Sequence, residues 1–106
     1  MMEKAARASG YVVLTSKPGQ YRSEASADVE VVEIYDYVFY GRTKAIFQVA
    51  RVAPGARVRI VEEAPPHIVN MVPARVMEQF ATVEDARRAI RELADFGTLD
   101  ATLVRR

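Results

Sequence analysis

Cysteine and tryptophan are missing from the 106 residues, histidine occurs once, and lysine occurs only at Lys4, Lys17 and Lys44. Without cysteine there is no disulfide framework, no thiolate zinc site, no cysteine-ligated iron–sulfur cluster and no cysteine nucleophile. A single histidine cannot build a His-rich metal site, so no metal and no cofactor are expected. Charge of one sign is also missing. Fifteen Lys and Arg oppose fourteen Asp and Glu, a net charge of +1, which argues against a protein built mainly to neutralise phosphates. Apolar runs are only a few residues long, so no membrane-spanning helix is expected. Glu3 and Arg7 break the only candidate stretch for a secretory apolar region, and a cytoplasmic location is the default expectation. GxGxxG, Walker A, GxSxG and HExxH patterns are all missing, and Gly10, Gly19, Gly41, Gly55 and Gly97 each sit where a turn or cap would use them.

What is present points to one folded domain. Half of the residues are hydrophobic and 27% are charged, a balance that argues against disorder. The length suits a single domain of about 100–150 residues. Residues 1–9 read as a flexible lead-in and residues 10–106 as one domain.

Tyr11 to Thr15 is β-branched and aromatic and reads as a first strand. Lys17-Pro18-Gly19-Gln20 is a turn, and Tyr21 to Ala25 a short return strand. Val29 to Tyr40 is the strongest strand signal. Its two faces, Val32, Ile34, Val38 and Tyr40 against Val31, Tyr35, Tyr37 and Phe39, are both apolar. Gly41 to Lys44 reads as a polar turn, and Ala45 to Val52 completes a long hairpin. Arg57 to Glu62 alternates, with Val58 and Ile60 inward and Arg57 and Arg59 outward. Residues 67–72 suit an edge strand or an ordered loop, and residues 75–80 a strand or a helical turn.

Thr82 is suited to cap a helix, with Glu84 and Asp85 in its positive first turn. Val83, Ala86, Ala89, Ile90 and Leu93 would line its apolar face, and Gly97 would end it. Leu99 to Val104 then reads as a closing strand, and Arg105-Arg106 as a short basic tail. The expected fold class is α+β: a mainly antiparallel sheet of five to six strands, one C-terminal amphipathic helix over residues 82–96, and a closing strand. One helix covers one face of such a sheet but hardly both. Sheet curvature, the N-terminal segment or another subunit must close the second face.

The polar residues offer few constellations. His67 is suited to be a general base beside Glu62 or Glu63, or to be a loop histidine beside Pro65 and Pro66. Asp36 interrupts an apolar stripe, which calls for a bulge, an Arg partner or a functional carboxyl group. Tyr35, Tyr37 and Phe39 share a strand face, as an aromatic platform or as buried rings.

The first functional expectation is a non-catalytic, self-associating module, a homodimer or other homo-oligomer, with Tyr35, Tyr37 and Phe39 at its interface. The second is a small-ligand pocket or enzyme between sheet and helix, with Tyr35, Asp36, Arg59 and His67 as its polar groups. The third, nucleic-acid binding through Arg42, Lys44, Arg51, Arg57 and Arg59, is disfavoured by the charge balance.

Overall fold

The two halves of the long apolar hairpin pair along their whole length and form the centre of the molecule. The computed structural model describes residues 10–94 and 101–106. Its elements are β1 (Gly10–Ser16), β2 (Tyr21–Glu24), β3 (Val29–Phe39), β4 (Arg42–Val52), β5 (Arg57–Glu62) and β6 (Val69–Pro73), then a 3-10 turn (Ala74–Val76), helix α1 (Val83–Ala94) and β7 (Ala101–Arg105). The α+β class is as expected. The strands, however, form two antiparallel sheets: a four-stranded one in the order β1-β4-β3-β7 and a three-stranded one in the order β2-β5-β6. The lead-in over residues 1–9, helix residues 95–96, Gly97 and Leu99 lie outside the described residues.

The hairpin turn is one residue earlier and tighter than expected. Tyr40 (φ 51°) and Gly41 (φ 75°) both adopt positive φ, the signature of a two-residue type I′ turn whose twist matches that of its strands. β4 therefore starts at Arg42. Of the two ambiguous segments, residues 69–73 form an edge strand beside β5, and residues 74–76 form a 3-10 turn. Phe80 makes an isolated bridge to Tyr11.

Two β-bulges decide which side chains meet. The β3–β4 register shifts between Val31 and Glu33. Before the shift, Val29 and Val31 pack with Val12, Leu14, Ala50, Val52 and Val58, between the two sheets. After it, Val32, Tyr35 and Tyr37 pack with Phe47, Val49, Ala86 and Ile90, under the helix. An inserted residue changes the face that follows it. A second shift between Tyr37 and Val38 leaves Lys44 unpaired beside Ala45.

The second face of the large sheet is thus closed over β1 and the first half of the hairpin by the chain's own smaller sheet. The sheets join at one corner. The Ser23 amide donates to Ser16 Oγ at 2.9 Å, and the Ser23 hydroxyl donates to the Thr15 carbonyl at 2.7 Å. The helix starts as expected, with the Asp85 amide donating to Thr82 Oγ1 at 3.1 Å. Ala86 and Ile90 are fully buried, whereas Leu93, expected on the same face, is half exposed.

One polar atom between the sheets is unsatisfied. Gln48 Oε1 is buried and finds no hydrogen-bond partner among the described residues. Gln48 pairs across Leu14 and Ile34. Gln48→Met should therefore stabilise the fold by about 1 kcal/mol, because it removes an unpaired acceptor while preserving volume. Urea unfolding measures this directly, and a loss of stability would mean that the amide is satisfied in solution.

Candidate functional site

A buried polar cluster lies under the helix and was not expected as a unit. The bulge after Val31 turns Glu33 toward α1, where its carboxylate is buried. Tyr35 donates its hydroxyl to Glu33 Oε1 at 2.9 Å. Arg87 of the helix donates through Nε to Glu33 Oε1 at 3.2 Å and to the Tyr35 hydroxyl oxygen at 3.1 Å, and through Nη2 to Glu33 Oε2. Arg105 of β7 adds an ion pair to Glu33 Oε2 at 3.1 Å. The Arg87 hydrogen bonds hold the Glu33 carboxyl below the ordinary carboxylate range, with Tyr35 and Arg105 adding to them and burial opposing them. Arg87 in turn is held more firmly protonated. Both carboxylate oxygens are occupied by donors, so the cluster clamps helix and closing strand to the sheet and leaves Glu33 no free oxygen for a proton transfer.

Asp36 takes the Arg-paired option on the opposite side of β3. Arg106 Nε and Nη2 donate to its two carboxylate oxygens at 2.9 and 2.8 Å. That fork lowers the Asp36 carboxyl below its ordinary value. The terminal Arg105-Arg106 pair, which reads as a tail by itself, thus supplies a partner to each face of β3. Only the spacing of two arginines behind an alternating strand could have hinted at this.

The four residues expected to line a pocket do not converge. Tyr35 is buried under the helix at 6% exposure. Asp36 is engaged by Arg106. Arg59 stands on the smaller sheet and pairs with Glu24 at 2.9 Å. His67 closes an exposed turn with a positive φ of 59°, and its Nδ1 lies 3.2 Å from the Glu62 carbonyl oxygen, with neither Glu62 nor Glu63 offering it a carboxylate among the described residues. The aromatic triad is likewise divided. Tyr35 and Tyr37 pack under the helix with Phe47, while Phe39 makes an edge contact with Tyr40, ring centroids 4.4 Å apart, at the hairpin tip. Tyr35, being buried, has little surface to offer a partner.

The basic residues expected at a nucleic-acid surface are also dispersed. Arg51 lies 3.7 Å from Glu30 and Arg59 pairs with Glu24. Arg42 and Lys44 stand at the start of β4, and Arg57 lies on β5. Among the described residues no three His, Asp or Glu side chains gather closely enough to hold a metal ion.

Two concavities flank the helix, sharing Thr15 and Leu93. One is about 850 Å³, with Phe80, Glu78, Asp85, Arg88 and Glu92 on its walls; the other is about 550 Å³ and basic, with Lys17 and Lys44. Neither is lined by Tyr35, Asp36, Arg59 or His67.

The strand edges differ in kind. Tyr11 and Phe80 exchange hydrogen bonds of 2.9 and 2.8 Å along the start of β1, and Ser23 occupies the end of that strand. The end strands of the two sheets are β1 and β7, and β2 and β6, with β1 and β2 meeting at this corner through Ser23. β7 ends in Arg105 and is followed by Arg106. From Ile68 to Pro73 the β6 edge carries no charge, and Ile68, Val69 and Met71 are 48%, 41% and 49% exposed. Edges are normally blunted with charge, proline, bulges or cover; β6 has Pro73 at its end but no charged residue along it, whereas β7 and β2 carry arginine.

No helix among the described residues is long and apolar enough to cross a membrane. Comparison with models of known protein families, with characterised proteins and with solved structures finds no match to this chain.

Proposed function

We propose that this chain is a non-catalytic self-associating module, and that two copies pair through β6. The observation that carries this reading is the uncharged, apolar outer edge of that strand. A strand edge is complementary to its own copy about a two-fold axis, and closed two-fold dimers dominate among oligomers. With no charge between Ile68 and Pro73, two copies meet without repulsion, and each would complete the other's hydrogen-bond ladder. The smaller sheets would then merge into one continuous sheet across the pair. This moves the expected interface away from Tyr35, Tyr37 and Phe39, because the first of these is already covered by the chain's own helix.

Sedimentation velocity at tens of micromolar tests the reading. The wild-type chain should sediment as a dimer, and Met71→Lys as a monomer with an unchanged melting curve, since Met71 is half exposed and lysine on an edge blocks pairing. Tyr37→Asp, if it folds, should remain dimeric. A monomeric wild type, or a dimer that survives Met71→Lys, rejects the proposal.

A second reading, a small-ligand-binding protein, is favoured by the concavities beside α1, whose size falls within the roughly 300–1,000 Å³ usual for ligand sites.

A further inference from the structure

We infer that the smaller concavity is a binding site for a small anion with a flat apolar body, of the arylcarboxylate class. Its walls come from four separate parts of the chain: Lys17 and Tyr21 from the β1–β2 corner, Tyr37 from β3, Lys44 and Phe47 from β4, and Leu93 from the helix. The inference rests on this site and not on the β6 edge.

The charge comes from lysines in a chain that otherwise uses arginine. Only three of its fifteen cationic residues are lysines, and two of those line this one hollow. Among the described residues no Asp or Glu lines it. This contrasts with Arg22, Arg51, Arg59, Arg87, Arg88, Arg105 and Arg106, each of which stands within ion-pair distance of a carboxylate. Lys44 is brought here by a specific backbone feature. The register shift opposite Tyr37 and Val38 inserts it into β4, so that it lines the same hollow as Ala45 and Phe47. An ammonium group is a compact point charge on a flexible stem and suits a carboxylate approached from either side.

The apolar part of the ligand is indicated by the rings. Tyr37 and Phe47 lie with centroids 6.4 Å apart and planes tilted by 60°, and Leu93 adds a half-exposed side chain to the lining of the same hollow. Phe47 is almost wholly buried, so Tyr37, which is half-buried, offers most of the ring surface on this wall, and a planar aryl group stacks or tilts favourably against such a ring. Cations beside an aromatic wall select an anion with an aryl body over a bare anion, because inorganic phosphate would leave the ring wall hydrated. The neighbouring larger concavity, lined by Glu78, Asp85 and Glu92 against Arg88, repels the same anion and confines it to the lysine end.

The test is a heteronuclear NMR titration of the full chain with 2-naphthoate at low salt, with neutral 2-naphthamide and inorganic phosphate run in parallel. Naphthoate should produce saturable shifts centred on Lys17, Lys44 and Phe47. Naphthamide and phosphate should each bind at least about tenfold more weakly, the scale of one charge-assisted contact. Lys17→Ala and Lys44→Ala should each weaken naphthoate by about the same factor, while leaving sedimentation unchanged. Equal binding of naphthoate and naphthamide, phosphate binding as tight as naphthoate, shifts that do not saturate, or full affinity in both lysine variants would each overturn the assignment. Because the lysines lie away from β6, failure here leaves the self-association result standing, and the reverse also holds.

Discussion

Ile90→Ala should lower stability by about 2–5 kcal/mol, the usual cost of truncating a fully buried aliphatic side chain to alanine. For a domain of this size that corresponds to a melting temperature lower by roughly 10–30 °C. Ile90 has no exposed surface and packs with Phe47, Val49 and Ala86 where the helix meets the large sheet. The strands beneath it are fixed by pairing on both sides of β4, which limits their collapse into the space. Leu93, three residues along the same helix, is half exposed, and Leu93→Ala should cost under about 1 kcal/mol. Urea unfolding of the two variants side by side separates a docked helix from one merely formed. Equal losses would mean that α1 does not seat on the sheet through Ile90.

Removing the Glu33 carboxylate should produce the second large loss, and one that depends on pH. In Glu33→Gln the helix and β7 lose the buried charge to which Arg87 and Arg105 are tied, which leaves the partly buried Arg87 without its charge partner while the more exposed Arg105 turns to water. The Glu33 carboxyl is held below its ordinary value chiefly by Arg87. The folded state therefore binds its proton less readily than the unfolded state. Its stabilising effect is complete above the unfolded carboxylate value, near about 4.3, and disappears as pH falls through the lower folded value. Wild type should thus lead Glu33→Gln at neutral pH, lose stability more steeply below about pH 4.5, and converge with the variant in stronger acid. Glu24 and Asp36, lowered by Arg22 and Arg106 respectively, contribute in the same direction to both proteins and cancel in the comparison. Thermal melts across pH 2.5–7, a window chosen to bracket that carboxylate value, measure the difference, and parallel curves would remove Glu33 from the clamp. Glu33→Leu combined with Arg87→Leu should recover part of the loss, since only Arg105, whose side chain is more than half exposed, is then left without its partner.

These residues also mark how far the sequence could be read. Most strand cores were legible from β-branched, aromatic or alternating runs between turns, and the helix from Thr82 and its apolar spacing, whereas β6 was legible only as one of two readings, an edge strand or an ordered loop. Local periodicity carries no information on which strands share a sheet, so the chain's own second sheet was not visible as the cover for the doubly apolar hairpin. The bulge after Val31 hid Glu33. In an unbroken strand Glu30, Glu33 and Asp36 scatter, whereas one inserted residue redirects Glu33 under the helix. Arg105 and Arg106 were illegible for another reason: their partners stand about seventy residues away, at 72 and 70 positions. Asp36 as an Arg-paired carboxylate was among the readings its position allowed. His67 and Arg59 were candidates by residue type alone, and type does not bring side chains together.

The unlike ends of the joined sheets have a consequence for stoichiometry. A protein with two bare strand edges adds copies at both and grows into a fibre. Here β7 terminates in Arg105, with Arg106 immediately beyond it, and both guanidinium groups are anchored by β3 carboxylates, so like charges would face each other in any β7-to-β7 approach. In the proposed pair, contact at β6 would occupy that uncharged edge, and the assembly would close at two. The same arginines that fasten the last strand to the sheet would also act as its chain terminators, making loss of Arg105 and Arg106 a route from a finite particle to an unbounded one.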